Sequence, residues 1–261
     1  WLGHTLLAIR KPPQTQPIHA REARISLVFN GELYDMTTPG ANDTAELLAR
    51  LVPVLHAADP LQQRPMLNGD FAFAAILHDG AGHWQRLLLA RDPAGVKPLY
   101  YRLARDTVRF ASSVRALVCC EDAPPLIDRS AVAGLLRHGS IAQPRTIIDG
   151  IHAVMPGEWL LFEAPDVSPR RKRLTPIPPA PLVVGGLLGA AMDSTTRQVE
   201  DVIARRQVAL VFFSGGVDSA LLARFIERAG AQVTLRTLAI RYSALDEGAQ
   251  AAKAARSLGL P

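Results

Sequence analysis

Residues 214–219 read Ser214-Gly215-Gly216-Val217-Asp218-Ser219, a stretch in which two glycines stand between hydroxyls and one carboxylate follows. Those types at that spacing suit the binding of phosphate. Gly215 and Gly216 let a ligand approach the main chain closely. If a helix begins here, the unpaired N–H groups of its first turn attract anions, and Ser214 and Ser219 add hydroxyl donors. Asp218 is the awkward member. Beside a phosphate its carboxylate either needs a cation such as Mg²⁺ between the two charges or serves as a helix cap.

The flanking residues decide which elements must position this loop. Residues 207–213 form an apolar run of buried-strand type, and Ala220, Leu221, Leu222, Phe225 and Ile226 recur at helical spacing. The loop therefore sits between the C-terminal end of a strand and the N-terminus of a helix. An ordinary strand-to-helix turn is the alternative to a phosphate cradle. The string lacks the Gly-Lys-Ser/Thr ending of a Walker A loop and is no dinucleotide fingerprint.

The chain has 261 residues, 48% of them hydrophobic and 20% charged, with a net charge of +5. That is a globular composition with room for two domains. No apolar run reaches the roughly 20 residues that cross a bilayer, and Trp1-Leu2-Gly3-His4 does not read as a secretory signal. The basic run Arg170-Arg171-Lys172-Arg173 stands among prolines, which reads as a solvated linker and argues against a nucleic-acid partner. Cys119 and Cys120 are adjacent, a poor geometry for a disulfide. A reducing, cytoplasmic location is the simpler expectation.

Residues 1–165 read as an α+β domain of stacked antiparallel sheets. Apolar runs at residues 6–9, 25–29, 71–77, 86–90 and 108–111 are separated by turn residues. Residues 44–56 place Leu47, Leu48, Leu51 and Leu55 on one helical face, with Asp43 as the expected cap. Shorter helices are expected at 113–118 and 130–136. Residues 166–184 are rich in proline and basic side chains and are expected to be a linker. Residues 185–261 then alternate: a helix at 187–205, the strand ending at Phe213, the loop and its helix, a strand across 233–240 and a helix over 247–258. Such alternation predicts an α/β parallel sheet with right-handed crossovers. Two strands do not complete such a sheet, and the chain does not open on Met. It is expected to be a piece of a longer protein.

Several strings in the first domain occur in a telling order. Phe29-Asn30-Gly31-Glu32-Leu33-Tyr34 carries an Asn-Gly pair that alone would mark a tight turn. It is followed by Leu67-Asn68-Gly69-Asp70-Phe71, by Arg91-Asp92-Pro93-Ala94-Gly95-Val96-Lys97-Pro98-Leu99-Tyr100-Tyr101, by Phe110-Ala111-Ser112-Ser113 and by Met155-Pro156-Gly157-Glu158. This series resembles the class II glutamine amidotransferase domain, an Ntn-hydrolase-like fold. Ser214 to Ser219 resembles the pyrophosphate loop of the PP-loop ATP pyrophosphatases. Together they resemble the glutamine-hydrolysing asparagine synthetase B family across essentially the whole chain.

The resemblance implies an ATP-dependent amide-forming ligase, in which aspartate is adenylylated and then aminated by ammonia from glutamine. It implies ATP and Mg²⁺, small-molecule substrates, and no membrane; a homodimer is compatible with it. Asn30 and Gly31 would form the oxyanion hole, a task for preorganised donors. Glu32 and Asp43 would join them in binding glutamine. Phe213, Ser214, Gly215, Gly216, Asp218, Ser219 and Ile240 would bind ATP, although core packing is an equal reading of Phe213 and Ile240. No metal ligand is assigned, and Asp246 and Glu247 read as a helix start. Arg91 and Asp92 read as a pair that fixes a turn.

Two departures matter. The family nucleophile is an N-terminal cysteine whose own amine is the base, whereas this chain opens on Trp1 and neither Cys119 nor Cys120 supplies that amine. Where the family arginine grips the glutamine carboxylate stands Leu6, which cannot form a charge-assisted pair. Two other readings therefore stay open: a sibling using an internal amine, as in lasso-peptide macrolactam and β-lactam synthetases, and a non-catalytic scaffold.

Overall fold

In chain order the first unit runs β1 (Ile18–Ala20), β2 (Ile25–Leu33), α1 (Asp43–His56), β3 (Gly69–His78), β4 (Trp84–Arg91), β5 (Tyr100–Ala104), β6 (Thr107–Ala111), α2 (Val114–Val118), α3 (Arg129–His138), β7 (Ile151–Ala153), β8 (Glu158–Glu163) and β9 (Asp166–Arg173). The computed structural model describes residues 2–4, 15–37, 42–120, 124–173, 187–206, 210–231, 234–238 and 246–259. Its contacts divide the chain into two units, Trp1–Ile177 and Pro178–Pro261.

Six strands of the first unit form one sheet in the order β1-β2-β3-β4-β8-β9, each neighbour antiparallel. Its central strands are apolar on both faces because both faces are covered. Phe71, Phe73, Ala75 and Leu77 of β3 pack with Leu47, Leu51, Val54 and Leu55 of α1. Ala72 and Ala74 of the same strand pack with Leu99, Tyr101 and Phe162 on the other side. There Tyr101 belongs to a three-stranded antiparallel sheet, β6-β5-β7. Helix, large sheet and small sheet are thus stacked as layers. Phe73 meets Trp159 edge-on at 5.3 Å between ring centroids, and burying a side chain of that size contributes about 2–3 kcal/mol.

The Asn30-Gly31 pair, which alone would mark a turn, makes none: β2 runs through it to Leu33 in unbroken register with β3. Two local expectations are corrected. The cap of α1 is Asn42, whose side chain accepts from the Ala45 N–H; Asp43 is the first residue inside the helix. Residues 166–173, expected to begin a linker, form β9 on the edge of the large sheet. An edge strand tolerates Pro169, which lies beside a register shift, and a basic edge discourages pairing with other chains. Arg170 pairs with Asp59 and Glu163, while Lys172 donates to Gln62.

The second unit contains α4 (Leu187–Arg206), β10 (Leu210–Phe212), α5 (Val217–Arg228), β11 (Thr234–Arg236) and α6 (Gly248–Leu258). β10 and β11 are parallel. Phe213, Ala223 and Ala251 form its core with Leu235, Ala254 and Leu258. The apolar run before the loop is buried only in part: Val211 is covered, whereas Phe212 is 79% exposed. Among the described residues this sheet has two strands and one covered face. Residues 6–9, and with them Leu6, lie outside the described residues, as does Ile240.

Candidate functional site

Asn30, Gly31 and Glu32 occupy the last third of β2, opposite Ala72, Phe71 and Asp70 of β3. Backbone groups in an antiparallel pair point alternately toward and away from the partner. Two contacts fix the phase here. Tyr34 N–H donates to Asn68 O at 2.7 Å, toward β3, whereas the N–H and C=O of Phe29 bond the side chain of Gln16 at 2.6 and 2.9 Å, away from it. Even-numbered residues therefore bond β3, and the N–H of Gly31 points along the outer edge of β2. β1 pairs only with Ile25 to Leu27 and does not reach that position. Asn30 and Glu32 share with Val28 the sheet face opposite α1.

Gly31 is required by close approach. Its φ is +149°, and a Cβ there would lie 2.0 Å from Asp70 O and 2.8 Å from Phe71 Cα. Gly69 mirrors it: a Cβ on Gly69 would lie 2.2 Å from Glu32 O. Each glycine thus lets the facing strand approach closely, on either side of the Glu32–Asp70 pair.

Asp92 holds this contact from the far side. It is fully buried; its carboxylate accepts from the N–H groups of Phe71 (3.3 Å), Val96 (3.0 Å) and Lys97 (3.0 Å). Its own N–H donates to Phe71 O at 2.8 Å. Both backbone groups of Phe71 are therefore committed to Asp92, leaving the Gly31–Phe71 pair without ladder bonds. Arg91 donates to the carbonyls of Gly95, Lys97 and Val154 at 2.7–2.8 Å. The pair folds residues 93–98 into a turn, as expected.

The segment after β2 is tied to α1. Arg50 bonds Asp35 and Glu46, and Glu46 also accepts from Thr37. The hydrogen bond from Arg50 holds the Glu46 carboxyl below its ordinary pKa. Asp43 lies one turn before Glu46, on the helix that covers the opposite face from Asn30 and Glu32. On the chain's first described residues, burial lowers the His4 pKa, and Leu2 packs against the cluster containing Val28 and Ala72.

The second candidate is the loop after β10. Ser214 Oγ lies 3.2 Å from Ser219 Oγ and accepts from the Gly216 N–H at 3.3 Å. Ser219 donates to Gly216 O at 3.1 Å. These bonds close the loop on itself at the start of α5. Gly215 has φ +77°, and a Cβ there would lie 2.8 Å from Ala251 Cα, so glycine lets α6 pack against the loop. Thr237, just past β11, donates to Phe213 O at 2.6 Å.

Helix α5 begins at Val217 with Gly216 as its cap and no capping side chain. Asp218 is exposed in the first turn and caps nothing, which removes the capping alternative. The N–H groups of Val217, Asp218 and Ser219 have no acceptor inside the helix. Phe213 is 2% exposed in the core, so only its main chain borders the loop. Among the described residues no cluster of three metal-ligating side chains exists. One exposed carboxylate beside a helix N-terminus fits a Mg²⁺ ion carried in with phosphates, which needs few protein ligands.

Sequence reasoning overlooked Gln16, Asp35 and Arg50, and gave Gly69 no role of its own. The repeated Asn-Gly pairs at 30–31 and 68–69 were a signal for Gly69, and the spacing of four between Glu46 and Arg50 was one for their ion pair. Nothing local announces Gln16.

Residues 1–172 match the family described as "Glutamine amidotransferase domain", and residues 192–261 match that described as "Asparagine synthase". Over 168 residues, the chain is 30% identical to the amidase chry2 of Gibberella zeae, covering 61% of this chain and 24% of that protein. It is 28% identical over 250 residues to the glutamine-hydrolysing asparagine synthetase 3 of Bacillus subtilis, covering 87% and 38%. It is 29% identical over 232 residues to the carboxyethyl-arginine β-lactam synthase of Streptomyces clavuligerus, covering 81% and 39%. The chain spans about a quarter to two-fifths of the length of these relatives.

Proposed function

The chain belongs to the asparagine synthetase family, joining a glutamine amidotransferase domain to part of an asparagine synthase domain, and from that premise we propose that it serves an ATP-dependent ligase that joins a carboxylate to an amine. The carboxylate attacks the α-phosphorus of ATP, pyrophosphate leaves, and the amine displaces AMP from the acyl-adenylate. Charge builds on the leaving pyrophosphate, and the helix N–H groups of Val217 to Ser219 with the hydroxyls of Ser214 and Ser219 stabilise it. Asp218 would face a Mg²⁺ ion carried in with the phosphates, which would supply neutralisation of the charge on the leaving group. The closed, uncapped turn at the start of α5 is the observation that carries this reading.

In the first domain, the outward N–H of Gly31 and the side-chain amide of Asn30 are the donors for an oxyanion formed on a glutamine amide. Glu32, on the same sheet face as Asn30, supplies negative charge for its α-ammonium; Asp43, on the helix over the other face, is not placed to share that role. The amine source is then ammonia and the acid aspartate, as the name of the Bacillus subtilis relative suggests. A second reading takes an amine within the substrate itself. Leu6 at the arginine position and the similarity to a β-lactam synthase favour it.

The longer protein, incubated with ATP and aspartate, is expected to release AMP and form asparagine with amide-labelled glutamine. AMP released with retention of all label in glutamine would move the assignment to the second reading. Absence of AMP with every carboxylate tried would refute a ligase.

A further inference from the structure

The outer edge of β2 is paired in two different ways. β1 meets it main chain to main chain, with Ala20 opposite Ile25 and Ile18 opposite Leu27. The same register carried two residues further sets Gln16 opposite Phe29, and there a side chain takes over. Gln16 Oε1 accepts from the Phe29 N–H at 2.6 Å, and Gln16 Nε2 donates to Phe29 O at 2.9 Å. A carboxamide carries the same donor and acceptor types as a peptide group, so it closes both bonds that a neighbouring strand would have made. Beyond it, the next outward N–H of β2 is that of Gly31.

The clip bears on how Asn30 and Gly31 are aimed. The peptide plane between Phe29 and Asn30 is held at both ends, its carbonyl by Gln16 and its N–H by Ala72 of β3. His4 adds a bond to the same Phe29 backbone. The plane between Asn30 and Gly31 is held at one end, where the Asn30 carbonyl bonds β3, and its N–H stays outward for a ligand. These two planes set φ and ψ of Asn30, and with them the direction of its side-chain amide relative to the Gly31 N–H. Phe71, opposite Gly31, spends its own backbone groups on Asp92 and adds no ladder bond there.

We propose that Gln16 is a positioning residue for hydrolysis of the glutamine amide: its carboxamide, in place of a strand, fixes the peptide plane ahead of Asn30 and so aligns the two oxyanion donors. The inference rests on the glutamine-hydrolysing reading of the first domain. Donors aligned before reaction stabilise the oxyanion without reorganising, so loss of the clip shows in turnover and leaves glutamine binding in place.

The test follows glutamate release from L-glutamine by the longer protein. Gln16→Met keeps the length of the side chain and loses both bonds; kcat is expected to fall about ten- to a hundredfold with KM changed less than about twofold. Gln16→Glu keeps an acceptor for the Phe29 N–H, loses the donor and is expected to lie between; it gives the same comparison if Gln16→Met does not fold. ATP–pyrophosphate exchange is expected to be unchanged in both. His19→Ala removes the bond from β1 to Ser26 without touching Phe29, and is expected to leave kcat unchanged however far it lowers the urea midpoint. That separates alignment of the donors from a general loosening of β1. Amide hydrogen exchange of the chain itself is expected to be faster at Phe29 in Gln16→Met but not in Gln16→Glu. An unchanged kcat in Gln16→Met, a loss carried by KM, or unaltered exchange at Phe29 overturns the proposal and leaves the glutaminase assignment standing. An unaltered protein that releases no glutamate removes that assignment, and the proposal with it.

Discussion

Replacing Gly31 by alanine separates a glycine needed for close approach from one needed only for a turn. The added Cβ would fall 2.0 Å from Asp70 O and 2.8 Å from Phe71 Cα. Both obstacles are backbone, so no side chain can swing aside and β2 must part from β3. The residue also has φ +149°, a region that costs a side-chain-bearing residue about 1–3 kcal/mol, and overpacking adds about 1–3 kcal/mol. A loss near 4 kcal/mol is a large part of a domain's stability of about 5–15 kcal/mol. Gly82→Ala is the control, since Gly82 has φ +88° with nothing within 4 Å and pays only the conformational cost. Urea unfolding followed by tryptophan emission reports on the buried Trp159. With a slope of about 2 kcal/mol per molar, the midpoint of Gly31→Ala drops by about 2 M, well beyond that of Gly82→Ala. Equal losses in the two variants would refute the close-approach argument.

Other outcomes follow from the same geometry. Asp92→Ala strands the N–H groups of Phe71, Val96 and Lys97 and is expected to cost about 3–5 kcal/mol by urea unfolding, while Asp92→Asn, which keeps one acceptor, costs less. Gly215→Ala would set a Cβ 2.8 Å from Ala251 Cα, so ATP binding by the longer protein should fall with little change in the urea midpoint of the first unit. Burial keeps the His4 pKa below its ordinary 6.5; the unfolded chain then binds more protons below that value, so His4 is without effect well above 6.5 and lowers stability as pH falls beneath it. Urea midpoints of His4→Gln should show a flatter pH dependence there. Glu46, lowered from 4.5 by Arg50, contributes above that value and loses its contribution as pH falls through the depressed folded-state pKa, which Glu46→Gln should abolish.

Four strands with apolar runs were legible. β2, β3, β4 and β6 fall where the runs at 25–29, 71–77, 86–90 and 108–111 predict them. β1, β5, β7, β8 and β9 were not read as strands: β1 and β7 are only three residues long, β5 mixes tyrosines with Arg102 and β9 is mostly charged, and the apolar run Trp159–Phe162 of β8 is too short for periodicity to tell strand from helix. At the Asn-Gly pair 30–31 local propensity alone favours a turn, whereas a neighbouring strand at contact distance demands the same glycine. Asp92 was legible as a turn former, but its bond to Phe71 spans 21 residues and is fixed only by the pairing of β3 with β4. In the second unit the strand, turn and helix around Ser214 were readable from composition and spacing. The contact between Gly215 and α6 was not, since helix packing lies beyond any local pattern.

The most direct test of the functional account is ATP–pyrophosphate exchange by the longer protein, measured with radiolabelled pyrophosphate in the presence of its carboxylate substrate. Exchange is expected to require that carboxylate and to disappear in the Ser214→Ala, Asp218→Ala double variant, which removes the hydroxyl closing the loop and the carboxylate of the first turn of α5. Exchange that persists undiminished in the double variant would contradict the assignment of this loop as the pyrophosphate site.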